Sequence, residues 1–158
     1  MNFVLLINKT KDKTSRDMVN ELNHIFDTKK IGHTGTLDPI ATGVLVMVIG
    51  RYTKLVDLLS SMEKEYVAEI KLGIKTDTLD ITGNVLEEKP CSVSREDVLK
   101  VFESLKGEFT QTIPKYSAKK INGKKLYEYA RNNEEVVLPS NTVFIKELEL
   151  LDITKDTI

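Results

Sequence analysis

The stretch GHTGTLDPIATGV, from Gly32 to Val44, constrains the fold of this chain more than any other feature. Its thirteen residues include three glycines, three threonines, a histidine, an aspartate and a proline. That composition is too polar for a core strand and too rich in glycine for a stable helix. Apolar runs lie close on both sides, so we predict a rigid polar loop between buried elements.

Asp38 carries the only carboxylate of this loop. Pro39 disfavours the helical region for Asp38, while Gly35 and Gly43 permit tight turns on either side. A rigidly held aspartate can act as a nucleophile or as a general base without any cofactor. The residues alone leave a second interpretation open, in which Asp38 only bonds its own backbone in an Asx-turn.

Other kinds of site find no matching pattern. The glycines fit neither phosphate-binding motif, G-x-x-x-x-G-K-[ST] or G-x-G-x-x-G. The loop that holds Asp77 and Asp80 lacks the spacing of a calcium loop, and one cysteine with two histidines is too few for structural zinc. Cys91 has no histidine nearby in sequence, and no G-x-S-x-G is present. We therefore expect no metal site.

Length and composition predict one cytoplasmic domain. The 158 residues can enclose a hydrophobic core, and no apolar run approaches the ~18 residues of a membrane span. The first residues lack the basic region and cleavage site of a signal peptide. A single cysteine excludes an internal disulfide and fits a reducing compartment.

Predicted strands and helices mix without a βαβ rhythm, which indicates an α+β fold. Helices are predicted after Thr14 and Ser94, each with an aspartate three residues later as a capping pair. The other predicted elements are strands at 3–8, 44–49, 65–72, 135–138 and 142–153, short helices at 52–61 and 126–131, and an Asn-Gly turn at 122–123. Alternation along 65–72 predicts that Tyr66 points inward.

Three of these predicted helices have a predicted apolar face. The faces consist of Met18, Val19, Leu22, Ile25 and Phe26 in the first helix, Leu55, Leu58 and Leu59 in the second, and Val98, Leu99, Val101, Phe102 and Leu105 in the third.

The segment 115–131 is a local basic patch in a chain whose net charge is only −1. It carries five lysines and one arginine against one acid, with three tyrosines interleaved. Cations for phosphates and aromatic faces for bases suit an RNA-binding surface. From the residues alone, a solvated helix and hairpin with half-buried tyrosines explains the pattern as well.

Three stretches in the same order resemble the TruB family of tRNA pseudouridine synthases: KIGHTGTLDPIATGVLVMVIGRYTKL, KEYVAEIKLGIKTDTLDITGNV and IPKYSAKKINGKKLYEYAR. The opening LLINKTKDKTSRDMVNEL is similar to the family's first strand, Lys-Pro turn and helix, with Thr10 where proline is usual. The resemblance spans nearly the whole chain. It implies a pseudouridine synthase-like catalytic domain with a mixed, largely antiparallel sheet and flanking helices.

The resemblance also implies an activity and its residues. The family isomerises uridine 55 in the T arm of tRNA to pseudouridine, with base flipping and with neither cofactor nor metal. Asp38 corresponds to the catalytic aspartate. Tyr66 corresponds to a catalytic tyrosine that stacks on the flipped base and assists proton removal at C5, and His33 to a histidine that fills the opened space. Without the family, Tyr66 would be interpreted as a core ring and His33 as a capping imidazole.

In this family the third stretch lies close to the RNA. The resemblance therefore implies that tRNA is the partner and that its contacts come from a set of basic and aromatic residues. These are Tyr116, Lys119, Lys120, Lys124 and Lys125, with Lys9 and Lys54 as further phosphate contacts.

The family pattern continues into a C-S-x-G-T-Y-I-R-like strand, whose arginine pairs with the aspartate, and often into a C-terminal RNA-binding domain. Neither occurs in this sequence. We therefore expect residues 1–158 to form a partial catalytic domain, weakly active or inactive alone, from a protein that is monomeric at full length. Alternatives are a non-catalytic RNA-binding module or tRNA-folding chaperone, and a guide-dependent relative that modifies ribosomal or messenger RNA.

Overall fold

The computed structural model describes residues 1–117 and 119–158. Ala118, part of the third motif, lies outside the described residues. The chain divides into two compact units, Met1–Tyr66 and Val67–Ile158. Helices and antiparallel strand pairs occur in both units, which confirms the predicted α+β class.

The first unit is built on a three-stranded antiparallel sheet in the order β1-β3-β2. Along the chain come β1 (Phe3–Lys9), α1 (Ser15–Phe26), β2 (Ile31–His33) and β3 (Gly43–Ile49). A 3₁₀ helix (Gly50–Leu55) then leads into α2 (Val56–Ser60), where one short helix was predicted. Across β1 and β3, Phe3 lies opposite Ile49 and Lys9 lies opposite Gly43.

Helix α1 covers one face of this sheet, and its start follows from the predicted capping pair. The Thr14 hydroxyl accepts the Asp17 amide, and the Asp17 carboxylate accepts the Thr14 amide. The core that the helix closes consists of Met18, Val19, Leu22, Ile31, Leu45, Met47 and Ile49. Ile25 and Leu58 were wrongly predicted to be buried, because both are exposed. Phe26 packs against the core as predicted, in edge contact with Phe3.

The second unit contains three antiparallel strand pairs and two helices. Strands β4 (Ile74–Thr76) and β5 (Val85–Glu88) pair first, and α3 (Arg95–Leu105) follows its predicted Ser94 cap. Strand β6 (Gly107–Thr112) pairs with β9 (Ser140–Ile145). Strands β7 (Lys120–Ile121) and β8 (Lys124–Lys125) form the predicted Asn-Gly hairpin, which leads into α4 (Leu126–Arg131).

Four of the predictions for this part of the chain are wrong. No strand is assigned over 65–70 or over 135–138, and the last predicted strand is shorter and is β9. Near 65–72 the backbone hydrogen bonds to other described residues lie at its end. There Ile70 and Ile158 exchange hydrogen bonds of 2.7 and 3.0 Å, and the Leu72 amide donates to the Asp156 carbonyl at 2.8 Å. On α3, Leu99, Val101 and Leu105 are exposed and only Val98 is buried. Alternation indicates two faces, but a strand also needs a partner for its backbone groups.

The loop between β4 and β5 is held by two carboxylates. The Asp80 carboxylate accepts the Thr82 amide at 2.8 Å, the Thr82 hydroxyl at 2.6 Å and the Thr78 hydroxyl at 3.0 Å. Asp77 accepts the Asn84 amide at 2.8 Å. The predicted polar loop is therefore present, and hydrogen bonds from its own side chains hold its conformation.

Acid should release this loop. The Thr82 hydroxyl, with smaller contributions from the Thr82 amide and Thr78, lowers the pKa of Asp80 below its ordinary value of 3.8, against an opposing effect of burial. The stabilisation is complete above that value and is lost as pH falls through the lowered pKa. In an NMR titration the Thr82 amide should therefore shift with a midpoint below 3.8, and the shift should be absent in Asp80→Asn. A midpoint at or above 3.8 would contradict this.

Candidate functional site

Asp38 lies at the surface, on the loop that joins β2 to β3. The Ala41 amide donates to the Asp38 carbonyl at 3.0 Å, which closes a turn with Pro39 in its second position. Within the described residues no hydrogen bond reaches the Asp38 carboxylate. The Asx-turn interpretation is therefore wrong for this structure, and the carboxylate is available to another molecule.

The backbone on both sides of Asp38 is held by residues 9–15, which run from the last residue of β1 to the first residue of α1. The Ser15 hydroxyl accepts the Leu37 amide at 3.0 Å and donates to the Leu37 carbonyl at 3.3 Å. After Asp38, the Pro39 carbonyl accepts the Asp12 amide at 2.8 Å. An exposed carboxylate thus stands on a backbone that is restrained before and after it.

Lys9 is fully buried, and its ammonium group belongs to the same set of contacts. Its Nζ donates to the carbonyls of Lys13 at 2.7 Å, Thr10 at 3.0 Å and Pro39 at 3.3 Å. The prediction that Lys9 contacts an RNA phosphate is therefore wrong for this structure. The sequence held a signal: Lys9 continues the alternation of Phe3, Leu5 and Ile7, the side chains of β1 that pack on the core.

His33 is the last residue of β2 and lies opposite Met47 of β3. Its Nδ1 atom is buried and has no hydrogen-bond partner in the part of the chain that is described. A buried polar nitrogen without a partner costs free energy, and such groups in native proteins often serve a ligand. The capping interpretation of His33 finds no support, because none of the described hydrogen bonds involves its ring.

Tyr66 and Lys54 are the remaining predicted site residues of the first unit. The Tyr66 side chain is 69% exposed, so both the prediction that it points inward and the alternative of a core ring are wrong. Lys54 is exposed near the end of the 3₁₀ helix. Each of these two side chains is accessible to a large ligand.

The other predicted RNA contacts lie in the second unit, around the β7–β8 hairpin and α4. Lys124 forms an ion pair with Glu134 at 2.5 Å and lies 4.6 Å from the centroid of the Tyr129 ring. Lys125 and Arg131 lie 5.2 and 5.4 Å from the centroid of the Tyr127 ring. The Tyr127 and Tyr129 rings are half-buried and each contacts a cation, as expected for cation–π pairs.

Several members of the basic segment are exposed, among them Tyr116, Lys119 and Lys120. Lys119 and Lys120 have no hydrogen bond or ion pair from their ammonium groups within the described residues. Tyr116 is exposed and has no ring partner among the described residues. The basic segment therefore contains both internally paired cations and cations that are available to phosphates.

Comparison with known protein families shows to which family this chain belongs. The model described as TruB family pseudouridylate synthase (N terminal domain) matches residues 23–158. The chain belongs to the TruB family. The resemblance of the three motifs is thereby confirmed over most of their length.

Curated TruB-family relatives are similar along nearly all of this chain. The tRNA pseudouridine synthase B of Bacillus subtilis is 48% identical over 152 residues, which cover 95% of this chain and 49% of that protein. The protein of the same name from Geobacillus kaustophilus is 46% identical over 154 residues, or 96% of this chain and 54% of that protein. The chain thus spans about half the length of the curated relatives it matches.

Solved structures support the TruB-type fold. A chain in the crystal structure of a Cbf5-Nop10-Gar1 complex superimposes with a TM-score of 0.70 and 25% identity, over 98% of this chain and 36% of that one. A chain in the archaeal box H/ACA sRNP Nop10-Cbf5 complex gives a TM-score of 0.52 and 26% identity, over 70% of this chain and 33% of that one.

The described part of this TruB-family chain has neither a candidate membrane span nor a candidate metal cluster. None of their helices is both long enough and apolar enough to cross a membrane. They also bring together no group of three or more His, Cys, Asp or Glu side chains that could hold a metal ion.

Sequence reasoning missed two residues that the structure places at these sites. Ser15 escaped notice because its partner Leu37 is 22 residues away along the chain. Arg131 was counted in the charge of the basic segment, but its contact with the Tyr127 ring follows from the spacing of four residues along α4.

Proposed function

We propose that this protein isomerises uridine 55 in the T arm of tRNA to pseudouridine, with Asp38 as the catalytic residue. The observation that carries the proposal is the Asp38 carboxylate, which is exposed and unbonded within the described residues while the backbone on both sides of it is held. Membership of the TruB family supplies the reaction class. Greater identity to the proteins named tRNA pseudouridine synthase B than to the Cbf5-complex chains supports tRNA as the substrate.

The reaction needs a carboxylate but no redox partner. The base is detached from C1′, rotated and rejoined through C5, so the substrate and the product are isomers. The target base is flipped out of a folded loop at a cost of a few kcal/mol. In this proposal the exposed Tyr66 ring stacks on the flipped base, and His33, whose Nδ1 lacks a partner among the described groups, occupies the opened space.

The reaction can be measured directly as release of tritium from C5 of labelled uridines in a T-arm hairpin. Formation of the new bond at C5 requires loss of the C5 hydrogen, so release reports isomerisation itself. Binding without chemistry releases nothing. The assay therefore separates this proposal from every function that only binds RNA.

Exposed lysines are proposed to supply the phosphate contacts. Lys54, Lys119 and Lys120 are accessible, and Lys125 adds a half-buried charge beside Tyr127. Lys124 forms an ion pair with Glu134, so it must break that ion pair before it can contact a phosphate. Lys119 and Lys120 are therefore the first pair to test.

Replacing Lys119 and Lys120 together with glutamine should weaken hairpin binding and reduce its salt dependence. Each phosphate contact releases condensed counterions, so losing two should lower the slope of log K against log salt by about 1.4 to 1.8. Fluorescence anisotropy titrations at several salt concentrations measure that slope. The matched control replaces Lys100 and Lys155, which lie outside the basic segment, and should keep the wild-type slope. Equal slopes for the two double variants would refute these contacts.

A second candidate function is RNA binding without turnover. It is favoured by the exposed Tyr116, Lys119 and Lys120, which can contact bases and phosphates without a catalytic group. Hairpin binding with no tritium release by the 158-residue chain would support it.

A further inference from the structure

Ser15 is the first residue of α1, and its side chain is only 2% exposed. Its hydroxyl accepts the Leu37 amide at 3.0 Å and donates to the Leu37 carbonyl at 3.3 Å. One side chain thus satisfies both backbone polar groups of the residue that directly precedes Asp38. Since a single hydroxyl can do both only in one orientation of that backbone, these bonds restrain Leu37 closely.

The helix that carries Ser15 is itself immobilised. Met18 and Val19 on its first turns are buried in the core, so burial rather than the Thr14 cap holds the helix on the sheet. The Leu37 side chain packs against the same core. Leu37 is therefore held by its side chain and by its backbone relative to a single rigid element.

The contacts after Asp38 complete the restraint. Asp12 and Lys9 donate to the Pro39 carbonyl at 2.8 and 3.3 Å, and the Ala41 amide closes the turn on Asp38 itself. These bonds involve the backbone of the loop and leave the Asp38 carboxylate without a partner among the described residues. Backbone restraint with a free functional group is the arrangement that a preorganised catalytic side chain requires.

We propose that Ser15 is a positioning residue for the reaction, whose hydroxyl holds Leu37 and thereby sets the place of the Asp38 carboxylate. The proposal rests on the function proposed for Asp38. It assigns Ser15 no contact with substrate. Misplacement of a reacting group by about 1 Å can cost a hundredfold in rate, so a hydroxyl that acts only through the backbone can have a large kinetic effect.

The structural half of the proposal is tested by hydrogen exchange in the 158-residue chain. In Ser15→Ala the Leu37 amide loses its acceptor, and its exchange should accelerate by about tenfold or more relative to the amides of β3. Thr14→Ala is the matched control, because it removes a neighbouring hydroxyl that caps the same helix but does not contact Leu37. It should leave the ratio of Leu37 to β3 exchange unchanged. Equal ratios in both variants would overturn the proposal.

The kinetic half is tested with the tritium-release assay. Ser15→Ala should lower kcat by about tenfold to a hundredfold with little change in KM, because the hydroxyl places a reacting group and binds no RNA. Thr14→Ala should stay within about twofold of wild type, and Ser15→Thr, which keeps the hydroxyl, should recover most of kcat. A kcat for Ser15→Ala equal to that of Thr14→Ala would overturn the proposal.

The two proposals fail in different ways. If Asp38→Asn releases tritium at the wild-type rate but Leu37 exchange responds to Ser15→Ala alone, the hold of Ser15 on the loop stands and the function proposed for Asp38 fails. If the wild-type chain turns over and Ser15→Ala matches Thr14→Ala in both assays, Asp38 keeps its function and the role of Ser15 is wrong.

Discussion

Replacing Asp38 with asparagine should abolish tritium release from a T-arm hairpin labelled at C5 of its uridines. We expect a fall of at least about a hundredfold, the lower range for loss of a residue that acts directly in an acid–base or nucleophilic step. Asparagine keeps the size of the side chain but cannot carry the negative charge. Because the carboxylate makes no hydrogen bond within the described residues, the fold of the loop should survive the change.

Binding and a second carboxylate give the controls for this result. Hairpin affinity of Asp38→Asn should stay within about threefold of wild type, since phosphate contacts supply most of the binding free energy. Asp57→Asn removes a different exposed carboxylate of the first unit and should release tritium at the wild-type rate. Release by Asp38→Asn at more than a tenth of the wild-type rate would exclude Asp38 as the catalytic residue.

Replacing Lys9 with methionine should destabilise the first unit by about 2 kcal/mol or more, because two partly buried hydrogen bonds to carbonyls are lost. Methionine has a similar length and fills the buried space, but it donates no hydrogen bond. The Thr10 and Lys13 carbonyls then lose a charged donor, whereas Pro39 keeps the Asp12 amide. Urea unfolding followed by circular dichroism measures the loss of stability, and hydrogen exchange of β1 and β3 amides shows that it lies in this unit.

Lys11 provides the matched control for Lys9. It is a lysine two residues away, exposed, and not hydrogen-bonded through its side chain in the described structure. Lys11→Met should change the free energy of unfolding by less than about 0.5 kcal/mol, as is usual for surface substitutions. If Lys9→Met changed the free energy of unfolding equally little, the three carbonyl contacts of Lys9 would not stabilise the fold. Lys9 would then be free to leave them for a phosphate, as the family resemblance first implied.

Local signals predicted the elements that local chemistry determines. The capping pairs at Thr14 and Ser94 gave the starts of α1 and α3, and the Asn-Gly pair gave the β7–β8 turn. In each case the partners lie within three residues, so the sequence contains the whole interaction. The strand predicted at 65–72 failed for the opposite reason, since its only backbone partners among the described residues are at 156–158.

The candidate site likewise contains features set by neighbouring residues, which could be predicted, and features set by distant contacts, which could not. The polar loop and its single carboxylate could be predicted, because Pro39 and the glycines act on their own neighbours. Lys9 could not be placed correctly by charge alone, since a lysine is usually exposed and only the face of β1 puts this one inside. The contact of Ser15 with Leu37 depends on how α1 packs on the sheet, which no spacing in the sequence expresses.

The bonds from Lys9, Asp12 and Ser15 to the loop all end on backbone atoms of Leu37 and Pro39. Tolerance to substitution should therefore be asymmetric. The loop can exchange Leu37 for another apolar side chain without losing a single one of these bonds, because every residue has the same amide and carbonyl. Position 15 has no such freedom, because only its side chain makes the contact. Substitutions in the loop can therefore change the surface around the Asp38 carboxylate. The position of that carboxylate is set by Ser15 and its neighbours, which lie elsewhere in the chain.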